Sequence, residues 1–216
     1  MPDLTLGFDT SAAHCAAALL SGDDCLVARH EEMGRGQAER LMPLLEEVLA
    51  EAGVGWRDLT RIGVGIGPGN FTGVRIAVSA ARGLSLSLRA PALGVSITDA
   101  AQFGSEGPVL AAVAAPRERV YLEGFRTAQA IPLDLHELDA LPEGLAEPGL
   151  TCIGTAADEV AQRIGAAAAP AAFAPAEAIA RIAASREFIP GERPAPLYLR
   201  AADAAPPSDP PPRILD

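Results

Sequence analysis

The feature that most narrows what this chain can fold into is the stretch from Gly63 to Gly83, GVGIGPGNFTGVRIAVSAARG. Five of its first eleven residues are glycine, it follows a short apolar run, and it opens into a helix-like segment. Strand, glycine loop and helix in that order often build a phosphate cradle. Three such cradles can be tested residue by residue. A Walker loop needs the lysine of GxxxxGK, and all seventeen basic residues here are arginine. A dinucleotide fingerprint needs GxGxxG, but counting from Gly63, Gly65 or Gly67 puts Pro68, Asn70 or Thr72 at the last position. The kinase glycine loop fails on the same count and lacks its lysine. What remains is geometry. Pro68-Gly69 marks a turn, Asn70 or Thr72 can cap the following helix, and Gly73, Ala77, Ala80, Ala81 and Gly83 give that helix small surfaces. A glycine inside a helix costs about 1 kcal/mol against alanine, so a close backbone approach should offset it.

The segment Thr72–Leu88 is apolar on nearly every side except Arg75 and Arg82. A helix of that kind is buried all round, in a core or between two chains. The preceding helix, expected over Gln37–Ala52, has the same excess. Leu41, Leu45, Val48 and Ala52 form one stripe, and Ala38, Met42, Leu44 and Leu49 widen it beyond one face. Two readings stay open: a helical interface with a partner, or two helices filling the core of one domain.

Composition excludes several classes. Without lysine there is no Schiff base and no kinase strand lysine. A net charge of −11 argues against this chain alone gripping a nucleic-acid backbone. The three cysteines show no CxxC. The N-terminus has no basic start and Asp9 interrupts its apolar run, so it does not read as a signal peptide; no run reaches a membrane span. The expected setting is cytoplasmic.

Along the chain, Leu4–Asp9, Ala16–Leu20 and Cys25–Arg29 read as strands, the last two joined by a turn at Ser21-Gly22-Asp23-Asp24. Ile62–Ile66 and Leu93–Val95 are further strands, and Ser96–Phe103 a helix. Pro43 predicts a late start or a kink in the first helix. The second half begins again with strands at Val109–Ala114 and Val120–Phe125. Ile131–Gly149 reads as irregular surface, Thr151–Gly154 as a strand and Ala156–Ile164 as a helix. Ala166–Ala178 is low-complexity, before a helix at Ile179–Ser185. Two halves that start with strands and turn helical predict an α/β protein of two lobes, at 1–103 and 104–205, with a Pro-rich, disordered tail at 206–216.

Four runs now resemble a known family. FDTSAAHCAAALL, QAERLMPLLEEVL, GPGNFTGVRIAVSAARGLSLSL and PALGVSITDAAQ are similar to those of the bacterial TsaB (YeaZ) family of tRNA threonylcarbamoyladenosine biosynthesis proteins, and VLAAVAAPRERVYLEGF and APLYLR resume the likeness. The resemblance is dense over residues 3–126 and thin beyond. It implies a two-lobed actin/Hsp70/sugar-kinase-like fold built on ribonuclease-H-like sheets. It further implies a non-catalytic subunit that pairs, through its first two helices, with the catalytic paralogue TsaD. With the ATPase TsaE, that pair transfers a threonylcarbamoyl group to the adenosine beside the tRNA anticodon. Contact with tRNA is expected only through the complex, and a homodimer when the chain is alone. The partner-facing residues are then Leu41, Met42, Leu45 and Leu49 on the first helix. On the second they are Phe71, Gly73, Val74, Arg75, Ala77, Ala81 and Arg82.

Asp9-Thr10-Ser11 is the candidate nucleotide site. In the fold implied, an acidic residue at this strand end faces phosphates and their metal; otherwise Asp9 satisfies local backbone donors. The family pattern Asp-Ala-Arg is replaced by Ala114-Ala115-Pro116, and Gln37 stands where many relatives carry histidine. Both changes weaken chemistry in the cleft, so no catalytic residue and no intrinsic cofactor are expected, with ATP or ADP and Mg confined to the partner interface. The alternative is an ATP-dependent phospho- or carbamoyltransferase acting through Asp9. Metallopeptidase activity needs a metal motif, and His14, His30 and His136 form none. A cluster of His14, Cys15, Cys25 and His30 across a hairpin matches no zinc template; these read as buried thiols and surface histidines. Arg75 and Arg82 suit an acidic partner, a phosphate or plain solvent. Arg117 and Arg119 flank a hairpin turn and read as exposed.

Overall fold

The computed structural model describes residues 3–199. The first three strands, β1 (Leu4–Asp9), β2 (His14–Ser21) and β3 (Asp24–Glu32), form an antiparallel meander. Two strands, β4 (Arg61–Gly65) and β5 (Ala92–Val95), add in parallel on the other side of β1, giving the order β3-β2-β1-β4-β5. The second sheet repeats this wiring. Its meander is β6 (Val109–Ala115), β7 (Arg119–Phe125) and β8 (Asp134–Glu137). Strands β9 (Thr151–Ile153) and β10 (Ala167–Ala169) continue in parallel from β6.

Alternation along β1 decides the layers. Leu6 and Phe8 point to one face and join Leu19, Ile62 and Val64 under α1 (Gln37–Glu51) and α2 (Phe71–Leu88). Thr5, Gly7 and Asp9 point to the other face. There α5 (Pro175–Ser185) lies close, because a Cβ on Gly7 would be 2.4 Å from the Ala176 carbonyl and one on Gly63 2.8 Å from Ala183 Cβ. The short α3 (Ile97–Gln102) packs on the inner face of the second sheet and against α5; α4 (Ala157–Ile164) covers the outer face. The layers therefore run α1/α2, first sheet, α5/α3, second sheet, α4.

Several expectations change. The inner helices are exchanged: α3 follows the first sheet but packs on the second, and α5 returns from the second to the first. A cut of the chain at 103 and 104–205 misplaces both. Residues 134–137, expected to be irregular, pair with β7 as β8. The alanine-rich run at 166–178 is structural: Ala167–Ala169 form β10, Ala176 and Ala178 are buried, and α5 begins at Pro175, whose missing N–H costs nothing in a first turn. The first helix runs through Pro43, which is exposed. The carbonyl it leaves unpaired, that of Glu39, lies on the same exposed side. The tail expected at 206–216 lies outside the described residues. Among those described, no helix is long and apolar enough to cross a membrane.

Candidate functional site

Asp9 is the last residue of β1 and points to the α5 face, beside Gly65 on the neighbouring strand. It is fully buried, as are Thr10 and Ser11. Its Oδ2 accepts hydrogen bonds from Ser11 Oγ at 2.8 Å and pairs with His14 Nε2 at 2.7 Å. Its Oδ1 faces Gly65, where a Cβ would lie 2.0 Å away, and has no hydrogen-bond partner among the described residues. The carboxylate is thus enclosed by its own neighbours.

The glycine loop closes the same turn from above. Asn70 N donates to the Ser11 carbonyl at 2.6 Å, and Thr10 Oγ1 donates to the Gly73 carbonyl at 2.7 Å. A Cβ on Gly69 would sit 2.3 Å from the Ser11 carbonyl oxygen, and one on Gly73 1.9 Å from that of Thr10. Asn70, rather than Thr72, caps α2, its Oδ1 accepting from the amides of Thr72 and Gly73 at 2.9 and 3.1 Å. The glycines therefore let the loop and the head of α2 seat directly on Asp9-Thr10-Ser11. This is the close backbone approach the sequence demanded at Gly73; at Gly83, farther along the same helix, a Cβ would meet nothing within 4 Å, so the expectation fails there.

Beside this seat lies a cleft of about 720 Å³ between the lobes. Its walls include Ile97, Val113, Tyr121, Phe173 and Pro175, with His14, His30, Glu32, Gln37 and Thr155 as polar groups. Among the described residues no arginine lines it, and its one carboxylate, Glu32, pairs with His30 at 2.9 Å. Nucleotide phosphates need fixed positive charge or a metal held by free carboxylate oxygens. Asp9 does not line the cleft, although its Oδ1 is buried without a partner among the described residues, and Ala114 and Pro116 in the cleft wall supply neither a carboxylate nor positive charge.

Sequence reasoning missed His14. It is no ordinary surface histidine: one ring nitrogen holds Asp9, and its ring stands 4.7 Å from that of His30. The signal was the register, since His14 opens β2 just after the tight turn that ends β1. Cys15 points into the core instead, where burial pushes its thiol up to about 11, and Cys25 lies at the far end of the hairpin. Among the described residues no three His, Cys, Asp or Glu side chains gather as metal ligands. Nor is there a hydrolase relay: Ser11 and His14 both bond to the same Asp9 oxygen, so the ring is not placed to take the serine proton.

The eleven partner-facing candidates divide. Leu41, Leu45, Leu49, Gly73, Val74, Ala77 and Ala81 are buried within the chain and cannot touch a partner. Their stripes face the first sheet and each other, so the core reading holds for them. Met42, 38% exposed, and Phe71, 41% exposed, remain on the surface with Arg75 and Arg82. Neither arginine is merely solvated. Arg75 stacks on Phe71 and donates to Tyr198 Oη at 3.0 Å, while Arg82 donates to the Pro194 carbonyl at 2.7 Å. Leu86 is a further exposed residue of the same helix.

Two duplicated sheets with exchanged inner helices define a protein of the actin-like ATPase and sugar-kinase fold. A structure of that class matches it: the component A of (R)-2-hydroxyglutaryl-CoA dehydratase from Acidaminococcus fermentans, at 10% identity and a TM-score of 0.55 over 84% of this chain and 98% of that one. The particular family is closer. The structure of YeaZ from Pseudomonas aeruginosa superposes with a TM-score of 0.70 at 28% identity, over 84% of this chain and 90% of that chain. The tRNA threonylcarbamoyladenosine biosynthesis protein TsaB of Haemophilus influenzae is 35% identical over 128 residues, 56% of this chain and 53% of its own. Residues 30–131 match the family model described as TsaD, tRNA N6-adenosine threonylcarbamoyltransferase. The matches to the first curated relatives span 39 to 53% of those proteins' length. These likenesses support the TsaB/YeaZ family.

Proposed function

We propose that the chain serves the formation of threonylcarbamoyladenosine in tRNA as a subunit without chemistry of its own. In this reading it pairs through the outer faces of α1 and α2 with TsaD, the larger threonylcarbamoyltransferase, and acts beside the ATPase TsaE. It meets tRNA only within that assembly, in the cytoplasm. Nucleotide and magnesium belong to the joint surface with the partners. Left alone, the same two helices pair with a second copy by a twofold contact.

One observation carries the reading: at the strand end where this fold handles phosphate, Asp9 is buried and does not line the cleft. Asp9 is held by Ser11 and His14, and the glycine loop sits on the turn. The apolar residues left exposed on α1 and α2, Met42 and Phe71, supply the other half of the argument.

The test is incorporation of labelled threonine into tRNA by purified TsaD, TsaE and the enzyme that makes the threonylcarbamoyl adenylate, with and without this chain. Product is expected only when the chain is added, and Asp9→Ala should lower the yield less than about twofold once folding is corrected for. The competing enzyme reading requires stoichiometric Mg·ATP binding by the isolated chain and its loss in Asp9→Ala. That pair of results would replace the proposal.

A further inference from the structure

We infer that Phe71, Arg75 and Tyr198 form one composite anchor for a carboxylate-bearing apolar segment of the partner, so that residues 194–198 belong to the docking surface together with α2. The inference rests on the pairing reading above and says which chemistry that pairing uses. Aromatic residues are scarce in this chain, nine in 216. Two of the nine stand side by side in the open: Phe71 and Tyr198 are 41% and 44% exposed, with ring centroids 5.0 Å apart. Rings left exposed beside an arginine are the residue types that dominate binding hot spots.

Arg75 is fixed between them. Its guanidinium carbon lies 4.1 Å from the Phe71 ring centroid and its Nε donates to Tyr198 Oη at 3.0 Å. With Nε used, the two terminal nitrogens remain as a fork that suits a carboxylate. Among the described residues no carboxylate forms an ion pair with Arg75, whereas Arg29, Arg163, Arg181 and Arg186 each bridge one and Arg40 bridges two. The helix bearing Arg75 contains no Asp or Glu in its 18 residues, in a chain of net charge −11. The anchor is thus a cationic and aromatic patch on an acidic molecule, complementary to an acidic residue beside an apolar one. It is also held ready: Leu197 N donates to the Ile66 carbonyl at 2.8 Å, and Arg82 Nε to that of Pro194 at 2.7 Å, which fix the backbone carrying Tyr198.

The experiment is calorimetric titration of purified TsaD with the full-length chain and four variants: Phe71→Ala, Arg75→Ala, Tyr198→Phe and, on α1, Met42→Asp. Phe71→Ala and Arg75→Ala should each weaken binding about thirtyfold, the scale of a hot-spot residue. Tyr198→Phe keeps the ring but frees Arg75 and should weaken it about fivefold, the scale of one hydrogen bond. Arg75→Ala should also flatten the salt dependence, since a lost ion pair is no longer screened. If Met42→Asp abolishes pairing while the three anchor variants bind like wild type, the pairing reading stands and this inference falls. If wild type does not bind at all, both fall. Two further results overturn the inference. One is a homodimer of the isolated chain that the anchor variants dissociate while TsaD binding is unchanged. The other is tighter binding on deletion of residues 200–216, which would make the chain's own acidic tail the occupant.

Discussion

The two sheets are wired alike, a three-strand antiparallel meander followed by two parallel strands, yet their outer faces are covered differently. The first carries α1 and α2, of 15 and 18 residues. The second carries α4, of 8 residues, and where α1 would stand the chain runs from β8 to β9 as a helix-free segment. That segment tucks Leu138, Leu145 and Leu150 into the core and covers the sheet without leaving large apolar side chains outside. The helices of the first lobe leave Met42, Phe71 and Leu86 exposed. Both outer layers seal a core; only one has apolar surface to spare. The difference is the physical reason why the proposed docking surface is placed on the first lobe.

The largest effect should come from the loop that seats α2. Gly73→Ala would drive a Cβ into the Thr10 carbonyl, and backbone on both sides leaves no side chain to yield. A loss of about 3 kcal/mol is expected in urea unfolding, at the upper end of overpacking costs. Gly154 after β9 is the counterpart in the second lobe, its Cβ position 2.3 Å from the Ala112 carbonyl and its φ at 127°. Gly154→Ala should cost a similar amount. A far smaller loss at Gly73 would mean that α2 is not seated as described. Next comes the outer surface itself. Met42→Asp should weaken pairing with TsaD about a hundredfold, because it buries a charge in an apolar contact. Arg163→Ala on α4 should leave the affinity unchanged. If the α4 variant weakens pairing as much, the contrast between the lobes is not functional.

Much of the first lobe was legible because its periodicity is strong. The β1 and β4 strands, the two long helices and the turn at Pro68-Gly69 follow from apolar spacing and glycine chemistry. Which stripe of each helix faces outward was not legible. Leu41, Leu45 and Ala77 belong to patterns that are apolar nearly all round, and only the position of the sheet chooses between faces. The second lobe hid more. Strand β8 is four residues with one half-buried leucine, too short for alternation to register. The helix expected at Ile179–Ser185 is the larger part of α5, but its first residues looked like filler because alanine carries no periodic signal, although its small size is what lets α5 lie on Gly7 and Gly63. At the site, Asp9 was marked by its place at a strand end. Its partner His14 and the Phe71–Tyr198 pair were not, since they depend on register and on a return of the chain over 127 residues.

The buried carboxylate of the first lobe gives a middle-sized effect. Asp9→Ala leaves the Ser11 hydroxyl buried and the His14 ring nitrogen without their shared acceptor. About 1–3 kcal/mol should be lost, the usual cost of stranding buried polar groups. Glu32→Ala at the other end of the histidine pair should cost less than about 0.5 kcal/mol, because that carboxylate is exposed. Equal losses in thermal unfolding would show that the cleft wall acts as one unit.

The smallest effect tests the seam between the lobes. On the first sheet α5 meets glycines at Gly7 and Gly63, but on the second α3 meets Glu123, which accepts a hydrogen bond from Thr98. Burial lifts the Glu123 carboxyl above the ordinary range, the Thr98 bond opposes this, and Asp99 adds to it. A carboxyl raised by folding keeps its proton to higher pH in the native state than in the unfolded chain. Between the two values the native state binds more protons, so its contribution to stability falls as pH rises. Glu123→Gln keeps an acceptor for Thr98 and has no charge to bury. Its stability should match wild type near about pH 4 and exceed it near about pH 7, where the wild-type carboxyl has ionised. Urea unfolding of both proteins at the two pH values measures this directly. A difference that does not change with pH would mean that Glu123 is solvated, and that the two inner faces are equally indifferent to charge.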